Sequence, residues 1–161
     1  MKIFFDTEFT GLRAVSDILS IGMVAEDGST FYSEIDRPEL LNIDDWIRDN
    51  VIANFTKEKF FSDYPELRKQ IEVFLSPYKK VEMWSDCLAY DWVLFCELWS
   101  GALNVPDYIY YIPFDICTLM KAKGIDPDIN REEFSGITGI KHNALHDAKV
   151  IKACYEKLLR E

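Results

Sequence analysis

Residues 3–8 read IFFDTE, so that three large apolar residues run directly into two acids one position apart. The apolar run Ile3-Phe4-Phe5 is typical of a buried β-strand. Because side chains alternate between the two faces of a strand, Asp6 and Glu8 are predicted to point in the same direction. Two carboxylates on one face repel each other, and burial raises the cost of their charge. Either the strand ends in solvent at the turn Thr10-Gly11, or the two acids have a positively charged partner.

The composition predicts a well-packed globular chain with an acidic surface. The chain has 161 residues, of which 48% are hydrophobic and 14% aromatic. This length favours one domain over residues 1–161, and this composition argues against disorder. The 18 basic and 28 acidic residues give a net charge of −10. That balance argues against a protein that coats duplex nucleic acid through a basic face, but it allows an enzyme that meets nucleic acid at a metal-filled cleft.

Three further features of the sequence concern the cellular compartment of the protein. No apolar run approaches the roughly 20 residues of a membrane span, and the N-terminus lacks a signal-peptide pattern. The four cysteines, Cys87, Cys96, Cys117 and Cys154, have neither C-x-x-C nor zinc-type spacing. We therefore expect reduced core cysteines in a cytoplasmic protein that does not contact a membrane.

The order of strand and helix signals indicates a mixed α/β sheet covered by helices. A hairpin turn signal, Glu26-Asp27-Gly28, separates the second and third strands and predicts that they pair antiparallel. The five predicted strands cover residues 2–6, 17–25, 29–35, 81–84 and 108–112. The predicted helices cover residues 43–51, 65–75, 90–100, 114–122 and 144–159.

Two more acids stand where apolar residues are expected. Asp147 follows the predicted N-cap Asn143 and shares a helical stripe with Ile151, Cys154 and Leu158. Asp91 shares a helix face with Phe95 and Leu98 in the same way. A single acid in a first helical turn usually does no more than interact with the helix dipole. Three separate acidic sites at the ends of apolar elements instead favour a hard divalent cation that binds carboxylate oxygens.

These residues resemble a known family. Asp6-x-Glu8, Asp91 and His142-x4-Asp147 are similar to the DEDDh group of the DnaQ-like 3′–5′ exonucleases. The tyrosine variant of that motif would place Tyr at position 143, where this chain has Asn143. Many members carry Asn where this chain has Cys87, a departure that concerns substrate contacts and not catalysis. Five segments resemble a compact bacterial and phage branch of 3′–5′ exoribonucleases: DTEF, ILSIGMVAEDGSTFY, DWIRDNVIANF, MWSDCLAYDWVLF and KHNALHDAKV.

The resemblance implies an RNase H-like fold with a mixed five-stranded sheet, and a two-metal mechanism. Asp6, Glu8, Asp91 and Asp147 would hold two Mg²⁺ or Mn²⁺ ions, and His142 would be the general base. The substrate would be the 3′ end of single-stranded RNA or DNA, and the product a nucleoside 5′-monophosphate. Related enzymes are often dimers, so a homodimer is expected.

Substrate contacts are predicted around the first motif. By resemblance, Phe9, Thr10, Gly11 and Leu12 would cradle the terminal nucleotide, with His142 beside it. Aromatic residues that could stack bases or pack in the core are Trp46, Trp84, Tyr90 and Trp92, of which Trp84 and Tyr90 are included in the predicted substrate site. His146 faces about 100° away from Asp147 on an ideal helix and is interpreted as a surface or supporting residue. Asp115, Asp126 and Asp128 are interpreted as capping or surface acids.

Two other functions are compatible with parts of the sequence. IFFDTEFT is close to the D-x-D-x-T motif of haloacid-dehalogenase-type phosphatases, but that motif requires Asp where this chain has Glu8. A nucleic-acid-binding module that kept the RNase H-like fold and lost its chemistry is the second alternative. Loss of catalysis normally deletes a metal ligand or the base, and here all five positions are filled.

Overall fold

A mixed six-stranded sheet forms the centre of the computed structural model, which describes residues 1–13 and 15–160. The strands lie in the order β4-β3-β2-β1-β5-β6. The pairs β1–β2 and β2–β3 are antiparallel, whereas β3–β4, β1–β5 and β5–β6 are parallel. Their bounds are β1 Lys2–Phe9, β2 Ile18–Ala25, β3 Thr30–Ile35, β4 Phe60–Phe61, β5 Glu82–Ser85 and β6 Phe114–Asp115.

In the described part of the chain, six α-helices and three short 3₁₀ turns accompany these strands. The helices are α1 Asp45–Asn50, α2 Tyr64–Leu75, α3 Leu88–Glu97, α4 Ile116–Ala122, α5 Arg131–Ser135 and α6 Ala144–Leu158. The 3₁₀ turns are Pro38–Leu40, Ile52–Asn54 and Ala102–Asn104. Within residues 1–13 and 15–160, no helix has the length and apolar character needed to cross a membrane.

Helices cover both faces of the sheet, and β1 is therefore buried on both sides. Phe5 packs into a core with residues of α2 and α3, such as Leu67 and Phe95. Phe4 points the other way, into a core with residues of α4 and α6 such as Ile151. Because side chains alternate, Asp6 and Glu8 lie on the same face as Phe4, beneath the beginning of α6.

The hairpin and the long helices were predicted correctly, but the two edge strands of the sheet were not. The sheet has six strands and not five, because β4 is a two-residue strand too short to show an alternating pattern. Residues 108–112 are not a strand: only Ile109 pairs, with Val81, and Tyr110, Tyr111 and Ile112 are exposed. Pro113, which has no N–H to donate, separates this run from the true edge strand β6.

The cysteine prediction needs one correction. All four cysteines are free, and Cys96 and Cys154 are buried as expected, with Cys117 partly buried. Cys87 is exposed, because it lies on the loop after β5 as the N-cap residue of α3.

Candidate active site

The first two acids of the site come from the end of β1. Asp6 is 9% exposed, and the Glu8 side chain is 13% exposed. They pair across the ladder with Gly22 and Ser20 of β2, and the alternation of the strand directs both toward α6. The acids therefore do not end the strand in solvent, and their repulsion must be offset inside the protein.

Gly22 allows α6 to reach these acids. A Cβ atom at position 22 would overlap the backbone of Ala144 and Leu145, so only glycine permits α6 to begin directly on the sheet. Asn143 caps the helix as predicted, accepting a hydrogen bond from the His146 amide at 3.1 Å. Asp147, in the first turn of α6, is thereby brought over Asp6 and Glu8.

Asp91 reaches the site from α3 and is completely buried. Its Oδ1 accepts hydrogen bonds from the Thr7 amide (3.2 Å) and from Thr7 Oγ1 (2.5 Å). Its Oδ2 accepts a hydrogen bond from Ser85 Oγ at the end of β5. These bonds fix Asp91 between the two parallel strands.

The structure brings the four predicted carboxylates together and adds a fifth, Asp86. Oxygen atoms of Asp6, Glu8 and Asp147 all lie within 4.8 Å of one another. The same holds for a second group, Asp6, Asp86 and Asp91. Sequence reasoning missed Asp86, although a signal existed: it directly follows the strand MWS, whose carboxyl end lies beside that of β1.

Burial and mutual repulsion raise the pKa values of these acids. Burial, then repulsion from Asp147, raises the pKa of Glu8 to about 8. Burial raises the pKa of Asp91 to about 7 against its hydrogen bonds from Ser85 and Thr7, and the pKa of Asp147 to about 6. The pKa of Asp6 is raised well above its usual range by burial and by the charge of Asp91. Without a cation, the cluster therefore favours bound protons near neutral pH.

The donor set fits divalent cations. Asp6 Oδ2 is buried and has no hydrogen-bond partner among the described residues. A buried carboxylate oxygen normally has a partner, so an unpaired one at the centre of five acids fits a position that binds a cation. Hard cations such as Mg²⁺ and Mn²⁺ prefer such oxygen ligands.

His142 lies at the rim of the cluster. Its Nδ1 is 3.9 Å from Glu8 Oε1, and its ring meets the edge of Trp46, with centroids 5.0 Å apart. Its backbone has φ +58°, an uncommon conformation for a residue with a side chain. Burial and the neighbouring Lys141 lower the pKa of His142, which favours the neutral imidazole near pH 7.

His146 has different surroundings. Its Nε2 lies 2.8 Å from Glu132 Oε1, and its side chain is only 13% exposed. It is not a surface residue, because its ring packs against Gly139 in the loop that leads to α6.

Two adjoining clefts meet at Glu8, Phe9 and His142. The acidic cleft encloses about 600 Å³ and is lined by the carboxylates except Asp91, with Arg131 and Lys141 as its cations. The apolar cleft encloses about 350 Å³. Its remaining lining residues are Gly11, Leu12, Asp44, Trp46, Ile47 and Val51.

The predicted substrate residues are only partly brought to these clefts. Phe9, Gly11 and Leu12 line the apolar cleft, and Tyr90 stacks on Phe9 with centroids 5.5 Å apart. Thr10 is buried and instead braces the turn through hydrogen bonds with the Asp17 backbone.

Trp84 is not brought to either cleft. Its ring packs against Phe114 and Tyr155, with centroids 4.8 and 4.7 Å away, on the α6 side of the sheet. The predicted substrate contact of Trp84 is therefore wrong in position, because β5 directs this side chain into the core. Trp92 likewise stacks on the core residue Phe95. Asp115 caps α4 as interpreted, and Asp128 lies at the wall of the acidic cleft.

Comparisons with known proteins agree with this geometry. The sequence profile of a family described as the 3′-5′ exoribonuclease Rv2179c-like domain matches residues 1–159. Two curated relatives from strains of Mycobacterium tuberculosis, named 3′-5′ exoribonuclease MT2234.1 and 3′-5′ exoribonuclease Rv2179c, are each 27% identical over 128 residues. The matched region is 77% of this chain and 76% of each relative.

One solved structure is similar over almost the whole chain. It is the zinc-ion-bound form of the E. coli ExoI–ssDNA complex, with a TM-score of 0.58 and 14% sequence identity. The likeness covers 99% of this chain but only 40% of that one. It confirms the predicted α/β fold of the RNase H-like class.

Proposed function

This chain belongs to the 3′-5′ exoribonuclease Rv2179c-like domain family, and from that membership we propose that it removes nucleotides from the 3′ end of single-stranded RNA. One observation carries the proposal: two groups of three carboxylates share Asp6, and His142 Nδ1 lies 3.9 Å from Glu8 Oε1 of the first group. The phosphatase alternative is set aside, because Glu8 stands where its motif requires Asp. An inactive binding module would have no reason to keep five buried or half-buried acids that repel one another.

Divalent cations are part of this proposal, as Mg²⁺ or Mn²⁺. Asp6, Glu8 and Asp147 would hold one ion, and Asp6 and Asp91 lie at the second position. When bound, such ions lower the pKa of a water molecule and stabilise charge on the leaving oxygen. The unpaired Asp6 Oδ2 supports a bridging role for this residue.

His142 is proposed as the general base. Its lowered pKa keeps the ring neutral near pH 7, so that a ring nitrogen can accept the proton of the attacking water. Trp46 contacts the ring on one side, and the cap residue Asn143 holds the following backbone. The 3′-terminal nucleotide would then leave as a nucleoside 5′-monophosphate.

The apolar cleft is proposed to hold the terminal nucleotide. Leu12 and Trp46 present exposed apolar surface there, and a base can stack on the aromatic ring of Trp46 while Leu12 supplies apolar contact. Gly11, with φ +149° and no Cβ, allows backbone to approach a sugar closely. A chain of net charge −10 has little with which to grip a long strand, so short or frayed single strands are the proposed substrates. DNA is the alternative substrate.

The proposal is tested with 5′-labelled RNA and DNA of the same sequence, in Mg²⁺, in Mn²⁺ and in EDTA. We expect stepwise shortening from the 3′ end only with metal, and faster on RNA. A circular single strand of the same RNA should stay intact. Asp6→Asn is the matched inactive variant, since it keeps the side chain's shape. Rapid cutting of the circle, or full turnover in EDTA, would overturn the proposal.

Three further expectations belong to the proposal. Residues 1–161 are proposed as one exonuclease domain, in keeping with the family match over residues 1–159. A cytoplasmic location is supported by the four free cysteines. The homodimer stays a prediction, which analytical ultracentrifugation would test.

A further inference from the structure

Asp86 is a fifth carboxylate in the site that the exonuclease motif does not include. We propose that Asp86 is a direct ligand of the second divalent ion, with Arg131 as its fixed counter-charge. This inference rests on the proposed metal-dependent function and names one more residue of the same centre.

Asp86 lies close enough to Asp6 and Asp91 to share an ion with them. Asp86 follows the last residue of β5, and one of its oxygens lies within 4.8 Å of oxygens of both Asp6 and Asp91. Its side chain is 14% exposed and lines the acidic cleft. It therefore reaches Asp6 and Asp91 from the wall of the acidic cleft.

The bonding of Asp91 is the second argument. An ionised carboxylate has about four lone-pair positions, and Asp91 already accepts three hydrogen bonds from Thr7 and Ser85. It is completely buried and does not line the cleft. Asp91 alone is thus a poor ligand for an ion in the cleft, and Asp86 supplies the oxygen that this group otherwise lacks.

An unsatisfied atom points to the same place. Asp6 Oδ2 has its whole surface buried, with no partner among the described residues, in a side chain that is 9% exposed. Asp6 belongs to both groups of carboxylates, so an ion between Asp6 and Asp86 would give this oxygen a partner.

Arg131 accounts for the stability of a fifth acid at this position. Arg131 Nε lies 2.7 Å from Asp86 Oδ2, and Arg131 Nη1 donates to the Pro127 carbonyl at 3.2 Å. Arg131 thus pairs with one oxygen of Asp86, and a carboxylate has enough lone pairs to bind an ion as well. Two divalent ions and Arg131 together balance the charge of all five carboxylates.

A consequence follows for binding. An ion held by protein carboxylates in both groups does not need a substrate phosphate as a ligand. The chain should therefore bind two Mn²⁺ ions in the absence of RNA.

The test compares Mn²⁺ binding to the wild-type chain and to Asp86→Asn, by calorimetry and by electron paramagnetic resonance. The wild type should bind two ions per chain and give the spectrum of a spin-coupled pair. Asp86→Asn should bind one ion with unchanged affinity and the second at least about tenfold more weakly, since even outer-shell partners are worth that much. Its spectrum should be that of an isolated ion.

Two further variants serve as controls. Asp128→Asn removes an acid that lines the same cleft but belongs to neither group, and it should bind both ions as the wild type does. The double variant Asp86→Asn/Arg131→Gln tests whether a released Arg131 enters the site and repels the ion. If Asp86 is a ligand, the double variant stays as weak as the single one.

Each outcome decides the question. Two tightly bound ions in Asp86→Asn, equal weakening of both ions, or full recovery in the double variant would overturn the assignment of Asp86. Degradation of 5′-labelled RNA by the wild type is measured in parallel. If RNA is degraded and Asp86→Asn binds both ions, only this inference fails. If the wild type binds two ions, Asp86→Asn loses the second and no RNA is degraded, the proposed function fails and the ligand assignment stands.

Discussion

Gly22→Ala should separate the assembly of the site from the stability of the fold. The added Cβ meets the backbone of Ala144 and Leu145, and backbone cannot rotate away as a flexible side chain can. To restore ordinary contact, the start of α6 must withdraw from β2 by about 1 Å. Overpacking of this kind costs about 1–3 kcal/mol. In a chain of this length, that corresponds to a fall in Tm of roughly 2–12 °C.

Activity should fall by more than this loss of stability explains. Asp147 and His142 move with α6, whereas Asp6 and Glu8 stay on β1. Because a displacement of about 1 Å can cost 10²-fold in rate, we expect kcat to fall by about that factor well below the Tm. The affinity for the ion shared by Asp6, Glu8 and Asp147 should fall as well.

Gly28→Ala is the matched control. Gly28 lies in the turn after the same strand, with φ +94°, and a Cβ there meets open space. The substitution is strained by its backbone conformation alone, so Tm should fall while kcat and Mn²⁺ affinity stay at the wild-type values. Calorimetry and RNA degradation at 25 °C measure all three quantities. If Gly22→Ala keeps the wild-type kcat and metal affinity, close approach of α6 to β2 is not what assembles the site.

Three other predictions concern single groups. His142→Ala should lower kcat by about 10²–10⁴ while Mn²⁺ binding is kept, and His146→Ala should cost far less; the reverse ranking in steady-state kinetics would assign the base to His146. Trp46→Ala should raise KM for RNA by about 10- to 100-fold, the value of one stacked base, without changing metal affinity; an unchanged KM would remove Trp46 from the substrate site. In EDTA, the free energy of unfolding should fall as the pH rises from 5 to 8. The pKa values of Glu8 (about 8), Asp91 (about 7) and Asp147 (about 6) are raised in the folded chain, which therefore binds more protons than the unfolded chain in this range. Saturating Mg²⁺ should remove that decline in Tm, and a Tm that rises over the same range in EDTA would contradict the burial of the acids.

The sequence was most informative where a clear strand or helix pattern carried an acidic residue at a position where an apolar residue is expected. Asp6 and Glu8 could be placed on one face because strand alternation is a local rule, and Asp147 could be placed because its helix has a clear stripe and cap. The prediction of a strand at residues 108–112 was wrong, because an apolar run does not reveal whether a neighbouring strand is close enough to form hydrogen bonds with it. Local composition cannot distinguish paired from exposed apolar residues.

Contacts between segments that are far apart in the sequence could not be predicted from local patterns. The role of Gly22 depends on Ala144, which is 122 positions away in the chain, and glycine inside a strand signals only that something approaches closely. Asp86 was missed because its importance depends on the parallel pairing of β5 with β1, which brings two strand ends to one edge. Trp84 was misplaced because the face that β5 turns to the core cannot be determined from four residues.

The position of Asp147 on α6, the last element of the cluster to be synthesised, has a consequence during protein synthesis. A nascent chain that has folded the sheet but not residues 142–158 holds Asp6, Glu8, Asp86 and Asp91 without Asp147 or His142. Such a chain holds only part of the acid cluster and lacks the proposed general base. The order of the elements along the polypeptide thus delays assembly of the site until α6 has docked on the sheet.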